Sequence, residues 1–241
     1  MNAITINNLS KKYGEFTAVD SINLTIEHGE LFSLLGVNGA GKTTTIKMLS
    51  CLIRPTGGDA VLLGNSIKAH PQAVKEIINI SPQETAVASN LSVIENLELT
   101  AGLYGQNKKT AKRRAEEIAT QFGLEDVRKK KAKHLSSGMQ RRLSLAMALI
   151  TNPQILFLDE PTLGLDVLAR RELWTSIRAL KGKATIILTT HYLEEIEALS
   201  DRVGVMAKGK LAAIGTVAEL TEQTGTSNLE DAFVILAGGA V

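Results

Sequence analysis

The chain has 241 residues, of which 44% are hydrophobic and 22% charged, with 27 basic and 25 acidic side chains. This composition is typical of a folded globular protein and excludes a wholly disordered chain, and the net charge of +2 gives no indication of a nucleic-acid partner. No run approaches the roughly 20 apolar residues of a membrane-spanning helix, we expect no secretory leader, and the single cysteine, Cys51, excludes an internal disulfide.

The first ninety residues are predicted to form strands separated by turns. Residues 4–6 and 22–26 alternate apolar and polar side chains, as half-buried strands do. Residues 31–35 are a compact, mostly apolar run that stops at Gly36, which favours a buried strand. A helical pattern follows from Lys42 to Leu52 and ends at turn residues.

The middle of the chain has helical patterns. Ser92 and Glu95 have the spacing of a capping box that opens a helix, whose apolar positions are Val93, Leu97 and Leu99. Two further helices are predicted over residues 108–122 and 137–150, where the first combines an apolar stripe with a basic face.

Strand patterns return in the last third, with helices between them. The candidate strands cover residues 155–158, 184–188 and 202–206. Strands that alternate with helices predict a mainly parallel sheet. We therefore expect one domain, with an α/β core from residues 1–85 and 152–225, an inserted helical subdomain at 86–151 and a C-terminal tail at 226–241.

A phosphate-binding loop is the most specific motif. Residues 36–43 match the pattern G-x-x-x-x-G-K-[ST], between a predicted strand and a predicted helix. Glycines let successive backbone N–H groups face anionic oxygens, and the N-terminus of the helix adds partial positive charge. Lys42 is expected to reach the terminal phosphates and Thr43 to ligate Mg²⁺. The predicted nucleotide-binding residues here are Gly36, Val37, Asn38, Gly39, Ala40, Gly41, Lys42, Thr43 and Thr44.

Two acidic residues complete the pattern of a nucleotide hydrolase. The apolar strand at 155–158 runs directly into Asp159 and Glu160, at the sheet edge where open α/β sheets bind ligands. Asp159 is predicted to hold Mg²⁺, and Glu160 to polarise an attacking water. A strand that ends in two acids is a weak signal alone, but together with the phosphate loop it predicts nucleotide hydrolysis.

Five further features occur in a particular order along the chain. Tyr13 follows two lysines, Gln83 follows Ser-Pro, residues 135–142 are LSSGMQRR, Asp166 ends the segment Leu-Gly-Leu-Asp, and His191 follows Leu-Thr-Thr. With the two motifs above, this set resembles the ATP-binding subunits of ATP-binding-cassette (ABC) transporters over essentially the whole chain. Residues 135–142, called the signature segment below, stand where that family has L-S-G-G-Q, with Ser137 and Met139 as departures.

The resemblance implies a role for each of these residues. Tyr13 would stack on adenine, and Gln83 would reach the metal or the attacking water. Ser136 and Gly138 would face the γ-phosphate bound by a second chain. Asp166 would lie at the dimer seam, and His191 would contact the γ-phosphate and act in catalysis with Glu160 and Gln83. Considered singly, Tyr13 could be a packing aromatic, Gln83 a loop residue and Asp166 only a helix cap.

The resemblance also implies a fold and partners. The fold would be a P-loop NTPase core with a mainly parallel sheet, an N-terminal antiparallel β subdomain and an inserted α-helical subdomain. ATP and Mg²⁺ would bind between two copies of the chain, or between the chain and a paralogue. An integral-membrane permease would hold the chain at the cytoplasmic face of the membrane. No nucleic-acid partner is expected.

Several alternatives depend on local features. The two arginines of the signature segment and the residues 228–233 resemble subunits that export drugs, sodium or polysaccharide. Other members of the family act on ribosomes or DNA without a membrane, although they usually have long insertions or two cassettes. A third possibility is a regulatory module without catalytic activity. The sequence argues against it because it retains all four catalytic and binding residues, Lys42, Asp159, Glu160 and His191.

The basic runs at 108–114 and 128–133 fit solvated helix faces better than lipid-binding patches.

Overall fold

The structure is a computed structural model, and it describes residues 1–238. These residues form two β-sheets and several helices. The strands are β1 (Asn2–Tyr13), β2 (Phe16–Glu27), β3 (Leu31–Leu35), β4 (Gly57–Leu62), β5 (Asn65–Ser66), β6 (Ile78–Ser81), β7 (Ile155–Asp159), β8 (Thr185–Thr190), β9 (Arg202–Ala207) and β10 (Lys210–Gly215). The helices are α1 (Lys42–Leu49), α2 (Pro71–Ile77), α3 (Val93–Leu103), α4 (Lys108–Gln121), α5 (Ser137–Leu149), α6 (Val167–Arg178), α7 (Leu193–Leu199), α8 (Val217–Thr224) and α9 (Leu229–Leu236).

The larger sheet has six strands in the order β10-β9-β3-β8-β7-β6. Its neighbours are parallel except for β10 and β9, which form an antiparallel pair. The smaller sheet is antiparallel in the order β2-β1-β4-β5. The predicted fold class, a mainly parallel α/β core with an antiparallel N-terminal sheet and inserted helices, is confirmed.

The central strands are buried on both faces of the larger sheet. Successive side chains of a strand point to opposite faces. On β7, Leu156 and Leu158 join a hydrophobic cluster with α3, α4 and α5, while Ile155 and Phe157 join a second cluster that includes Ile46 of α1 and the N-terminal hairpin. The sheet is therefore enclosed between the helical subdomain on one side and the antiparallel sheet on the other.

The helical subdomain is formed by α3, α4 and α5. The predicted capping box is present, because the Ser92 side chain accepts from the Glu95 N–H and Glu95 accepts from the Ser92 N–H. Of the apolar positions of the predicted helix, Val93 and Leu97 are buried together with Asn96 and Ala101, whereas Leu99 lies on another face and is 48% exposed. The basic face of α4 is solvated, and its residue Arg113 pairs with Glu117.

Two segments differ from or extend the sequence patterns. The helix predicted over 42–52 ends at Leu49, because Cys51 has a φ of +57° and the N–H groups of Leu52 and Ile53 both turn back to the Lys47 carbonyl. Residues 228–233 lie at the start of α9, where Leu229 packs on Leu220 of α8 in a third cluster.

Residues 239–241 of the predicted tail lie outside the described part. Within residues 1–238, no helix is both long and apolar enough to cross a bilayer.

Candidate nucleotide site

The phosphate loop connects β3 to α1. Gly36 and Gly41 are both required by close approach, since an added Cβ at Gly36 would lie 2.5 Å from the Met206 carbonyl oxygen and one at Gly41 2.6 Å from that of Ala18. Gly41 also has a φ of +107° as the N-cap of α1. No side chain caps this helix, so its first backbone N–H groups remain available to an anion.

A cavity of about 390 Å³ opens beside this loop. Its wall contains residues 38–44 of the loop, three residues of the N-terminal hairpin, one residue from the segment after β6 and one from the end of β7. The wall residues are Asn38, Gly39, Ala40, Gly41, Lys42, Thr43, Thr44, Tyr13, Phe16, Ala18, Gln83 and Glu160. Gly36 and Val37 are not part of this wall, but their carbonyl oxygens accept from Lys42 Nζ at 2.7 and 3.3 Å.

The acidic end of β7 meets the phosphate loop at the cavity floor. Lys42 is 5% exposed, and its Nζ lies 3.4 Å from Glu160 Oε1. His191, at the end of β8, has its Nδ1 2.9 Å from Glu160 Oε2, although this contact does not have hydrogen-bond geometry. The Glu160 carboxylate therefore contacts both Lys42 and His191.

Glu160 has an unusual backbone. Its φ is +47°, in the left-handed region, at a position followed by Pro161. Such a conformation costs on the order of 1–3 kcal/mol in a residue other than glycine, so surrounding contacts must stabilise it. The Glu160 N–H donates to both the carbonyl oxygen and the side-chain hydroxyl of Thr189, each at 3.1 Å.

The predicted magnesium ligands are adjacent. The Thr43 hydroxyl donates to Asp159 Oδ1 at 3.0 Å, and the Thr189 hydroxyl donates to the same oxygen at 2.6 Å. Hydroxyl and carboxylate oxygens are the donors that Mg²⁺ prefers, and this ion usually takes its remaining ligands from phosphates and water. No group of three or more His, Cys, Asp or Glu side chains suited to a metal occurs in residues 1–238.

Three predicted residues lie outside the nucleotide cavity, of which Ser136 and Asp166 are exposed and Gly138 is buried. Ser136 caps α5 by accepting from the Met139 N–H at 3.3 Å, and Asp166 caps α6 by accepting from the Ala169 N–H at 2.9 Å. Gly138 packs so closely on α6 that an added Cβ would be 2.9 Å from the Ala169 side chain. The signature segment therefore lies beside the start of α6, and its residues contribute nothing to the wall of the nucleotide cavity.

Sequence reasoning missed four residues around the site. Phe16 and Ala18 line the cavity because the β1–β2 turn brings them beside Tyr13, which is 50% exposed. Thr189 lies two positions before His191, and this proximity to a predicted site residue was the sequence signal that could have found it. Arg141, in the signature segment, contacts the loops around Glu160 through long-range bonds that no local pattern reveals.

Comparisons with known proteins identify the family to which the chain belongs. The family model described as "ABC transporter" matches residues 19–163. The daunorubicin resistance ATP-binding protein DrrA3 of Streptomyces coeruleorubidus is 41% identical over 229 residues, which cover 95% of this chain and 72% of that protein. The chain belongs to the ABC transporter family, and it is an ATP-binding-cassette ATPase.

Solved structures show the same fold. An ATP-binding subunit of an ABC transporter superposes with a TM-score of 0.86 at 29% identity, covering 97% of this chain and 99% of that one. The ATP-binding cassette MJ0796, a dimer in a post-hydrolysis state with ADP and Pi, gives a TM-score of 0.79 at 25% identity, covering 88% of this chain and 98% of that one.

Proposed function

We propose that this chain energises export of a substrate through a separate membrane permease, by ATP hydrolysis in a site shared between two chains. The observation that carries the proposal is the contact of the phosphate loop with Asp159 and Glu160 at one cavity. The similarity to a drug-resistance subunit supports the direction of transport. The substrate is left open, because this chain would not itself bind it.

Nucleotide binding begins with the exposed parts of the cavity. Tyr13 offers a half-exposed aromatic face on which adenine can stack. The N–H groups at the start of α1 and the side chain of Lys42 neutralise the phosphates. Lys42 would exchange its contacts with Gly36, Val37 and Glu160 for phosphate oxygens. Thr43 and Asp159 would hold Mg²⁺, which would offset the negative charge of the phosphates.

Hydrolysis transfers the γ-phosphoryl group to water. Glu160 would orient and polarise the attacking water. His191, which contacts the Glu160 carboxylate, would hydrogen-bond the γ-phosphate. Gln83, which also lines the cavity, would contact the metal or the water. These residues position groups and stabilise charge, which is most of what phosphoryl transfer requires of a protein.

A second chain would complete the site. The hydroxyl of Ser136 and the backbone at Gly138 lie at the start of α5, whose N-terminus favours an anion. Next to Asp166 lie two apolar residues, Val167 and Leu168, which are 61% and 74% exposed. Neighbouring exposed apolar side chains are typical of a surface that binds another protein. In a twofold dimer, each signature segment would cover the nucleotide of the other chain.

The permease would bind between the core and the helical subdomain. A cavity of about 110 Å³ there is lined by residues of β6, of α3 and the Tyr104 that follows it, and of α5, including Ile80 and Met147. Leu103 is 78% exposed and Tyr104 51%, so the end of α3 presents large apolar side chains to a partner. A short cytoplasmic helix of the permease would lie over this surface with one side chain in the cavity, and it would hold the chain at the membrane.

The test is capture of a partner by the variant Glu160→Gln. With Mg-ATP, this variant should retain nucleotide and stay dimeric, so it is the bait for detergent-solubilised membranes of the native cell. Recovery of a polytopic membrane protein in stoichiometric amount, absent with the matched Lys42→Ala bait, supports the proposal. Recovery of ribosomes or soluble factors instead would contradict the membrane role and favour the non-transport alternative.

A further inference from the structure

Arg141 is a buried cation for which the roles above give no task. It belongs to α5, one helical turn after Gly138, and it is 3% exposed. A buried guanidinium is costly unless its donors are satisfied. Burial lowers the pKa of Arg141, and the carboxylates of Asp159, Glu195 and Glu160 act in the opposite direction.

The guanidinium donates to five backbone carbonyl oxygens on two loops. Its Nε bonds Pro161 at 2.5 Å, and its Nη2 bonds Glu160 at 2.5 Å and Asp159 at 3.4 Å. Its Nη1 bonds both Pro82 and Gln83 at 2.8 Å. One planar group therefore joins the loop of Glu160 to the loop of Gln83, and both to the helix that begins with the signature segment.

The hydrogen bonds of Arg141 reach the backbone at Glu160, whose left-handed conformation requires stabilising contacts. Glu160 has a φ of +47°, and its N–H is held by Thr189, so Arg141 holds the carbonyl side of the same residue. The direction of the Glu160 carboxylate depends on this backbone conformation. A lysine would keep the charge, but it has one nitrogen and cannot reach carbonyls arranged around a planar fork.

We propose that Arg141 is a positioning residue for hydrolysis, which acts by holding the Glu160 and Gln83 backbones from α5. This inference rests on the proposed role of Glu160. It separates two properties of the site: nucleotide binding, which uses Tyr13 and the phosphate loop, and the chemical step, which uses Glu160. Loss of the Arg141 bonds should affect the second and spare the first.

The test compares Arg141→Lys with Arg113→Lys in the purified chain. Arg113 is an exposed arginine on α4 of the same helical subdomain, and its guanidinium pairs with Glu117 at 2.5 Å instead of contacting the nucleotide loops. Arg141→Lys should lower kcat at least about tenfold and leave the affinity for a fluorescent ATP analogue within about twofold, since small displacements of a catalytic group have large effects on rate. Arg113→Lys should leave both quantities within about twofold.

A double-mutant cycle with Glu160→Gln distinguishes positioning from a general structural defect. If Arg141 acts through Glu160, Arg141→Lys should lower the residual rate of the Glu160→Gln variant less than about twofold. An equal fall in both backgrounds, or a folded Arg141→Lys protein with the wild-type rate, would overturn the inference.

A second variant covers the case in which lysine is not tolerated at this position. Arg141→Gln removes the buried charge and keeps an amide donor, and it should show the same loss of kcat with retained binding. If both variants fail to fold, Arg141 serves the fold and the inference is overturned. Failure of the proposed function would be seen separately, because the wild-type chain would then show no hydrolysis that depends on Lys42, and both proposals would fall.

Discussion

The two ends of the proposed site differ in how much of their surroundings this chain supplies. The core half-site, formed by residues 36–44 with Asp159, Glu160 and His191, has its reactive side chains in contact with one another. The signature end, Ser136 to Gly138, has an exposed serine that only caps its own helix. The side chains of the core half-site are already brought together within one chain, while the signature end offers only the start of a helix. This difference is what the proposed two-chain site would lead one to expect.

The largest expected effect is on the core half-site. Lys42→Ala removes the only side-chain cation in the wall of the nucleotide cavity among residues 1–238, and leaves Glu160 with one charged neighbour fewer. We expect ATP hydrolysis to fall at least about 100-fold, because charge neutralisation at the γ-phosphate is lost. Lys47→Ala, on the exposed face of the same helix, is the control and should retain the wild-type rate in a phosphate-release assay.

The signature end should respond to an added charge. Ser137→Glu places an anion in the first turn of α5, where it favours the helix by about 0.3–1 kcal/mol but repels the γ-phosphate of a partner chain. We expect the rate at saturating ATP to fall on the order of 30-fold, with the monomer's ATP affinity unchanged. Thr110→Glu adds the same charge to the first turn of α4 and should have no effect. Equal losses in both variants would contradict a special role for the signature end.

The edge of the core half-site should contribute to binding alone. Tyr13→Ala should raise the KM for ATP about tenfold and leave kcat nearly unchanged, because stacking on a base is worth about 1–3 kcal/mol. Tyr13→Trp, which keeps an aromatic face, should bind ATP at least as well as the wild type. Titration with a fluorescent nucleotide gives both affinities, and an unchanged affinity in Tyr13→Ala would exclude stacking.

The smallest effect concerns a buried acid on α7, outside the two regions compared above. Glu195 is fully buried on α7, four residues after His191, and accepts from the indole N–H of Trp174 on α6 at 3.0 Å. Burial raises the pKa of Glu195 above 4.5, against the lowering effects of the Thr190, Trp174 and Thr162 side chains and of Arg170. The unfolded chain therefore ionises first, and the free energy of unfolding should fall as pH rises from about 4.5 to the folded-state pKa.

Glu195→Gln should remove that fall, because an amide keeps the acceptor for Trp174 and has no proton to lose. Urea unfolding at several pH values measures the free energy of unfolding directly. The variant should become more stable relative to the wild type as pH rises. Glu194→Gln is the control, because the side chain of this neighbouring residue is 77% exposed. Its free energy of unfolding should change with pH in the same way as that of the wild type. Parallel curves for Glu195→Gln as well would contradict the buried-acid interpretation.

The parts that the sequence predicted well are those encoded by neighbouring residues. The phosphate loop, the capping box at Ser92 and the buried strands each depend on patterns within about ten residues, so local reasoning finds them. The contacts of Arg141 join residues 18 to 59 positions apart. Sequence alone placed this arginine only in the signature segment, because which loops it meets is decided by the packing of α5 on the sheet. The early end of α1 was also missed, since the left-handed turn at Cys51 has no glycine to indicate it.

The most direct test of the shared site is the mass of the Glu160→Gln chain in solution with ATP. The chain mass is 25.9 kDa, and sedimentation should show about twice that value with Mg-ATP and the monomer value with ADP. Adding Ser137→Glu to this variant should restore the monomer with ATP, whereas adding Thr110→Glu should leave the dimer intact. A dimer that persists with Ser137→Glu, or a Glu160→Gln chain that binds ATP and stays monomeric, would contradict a site completed by the signature segment of a second chain.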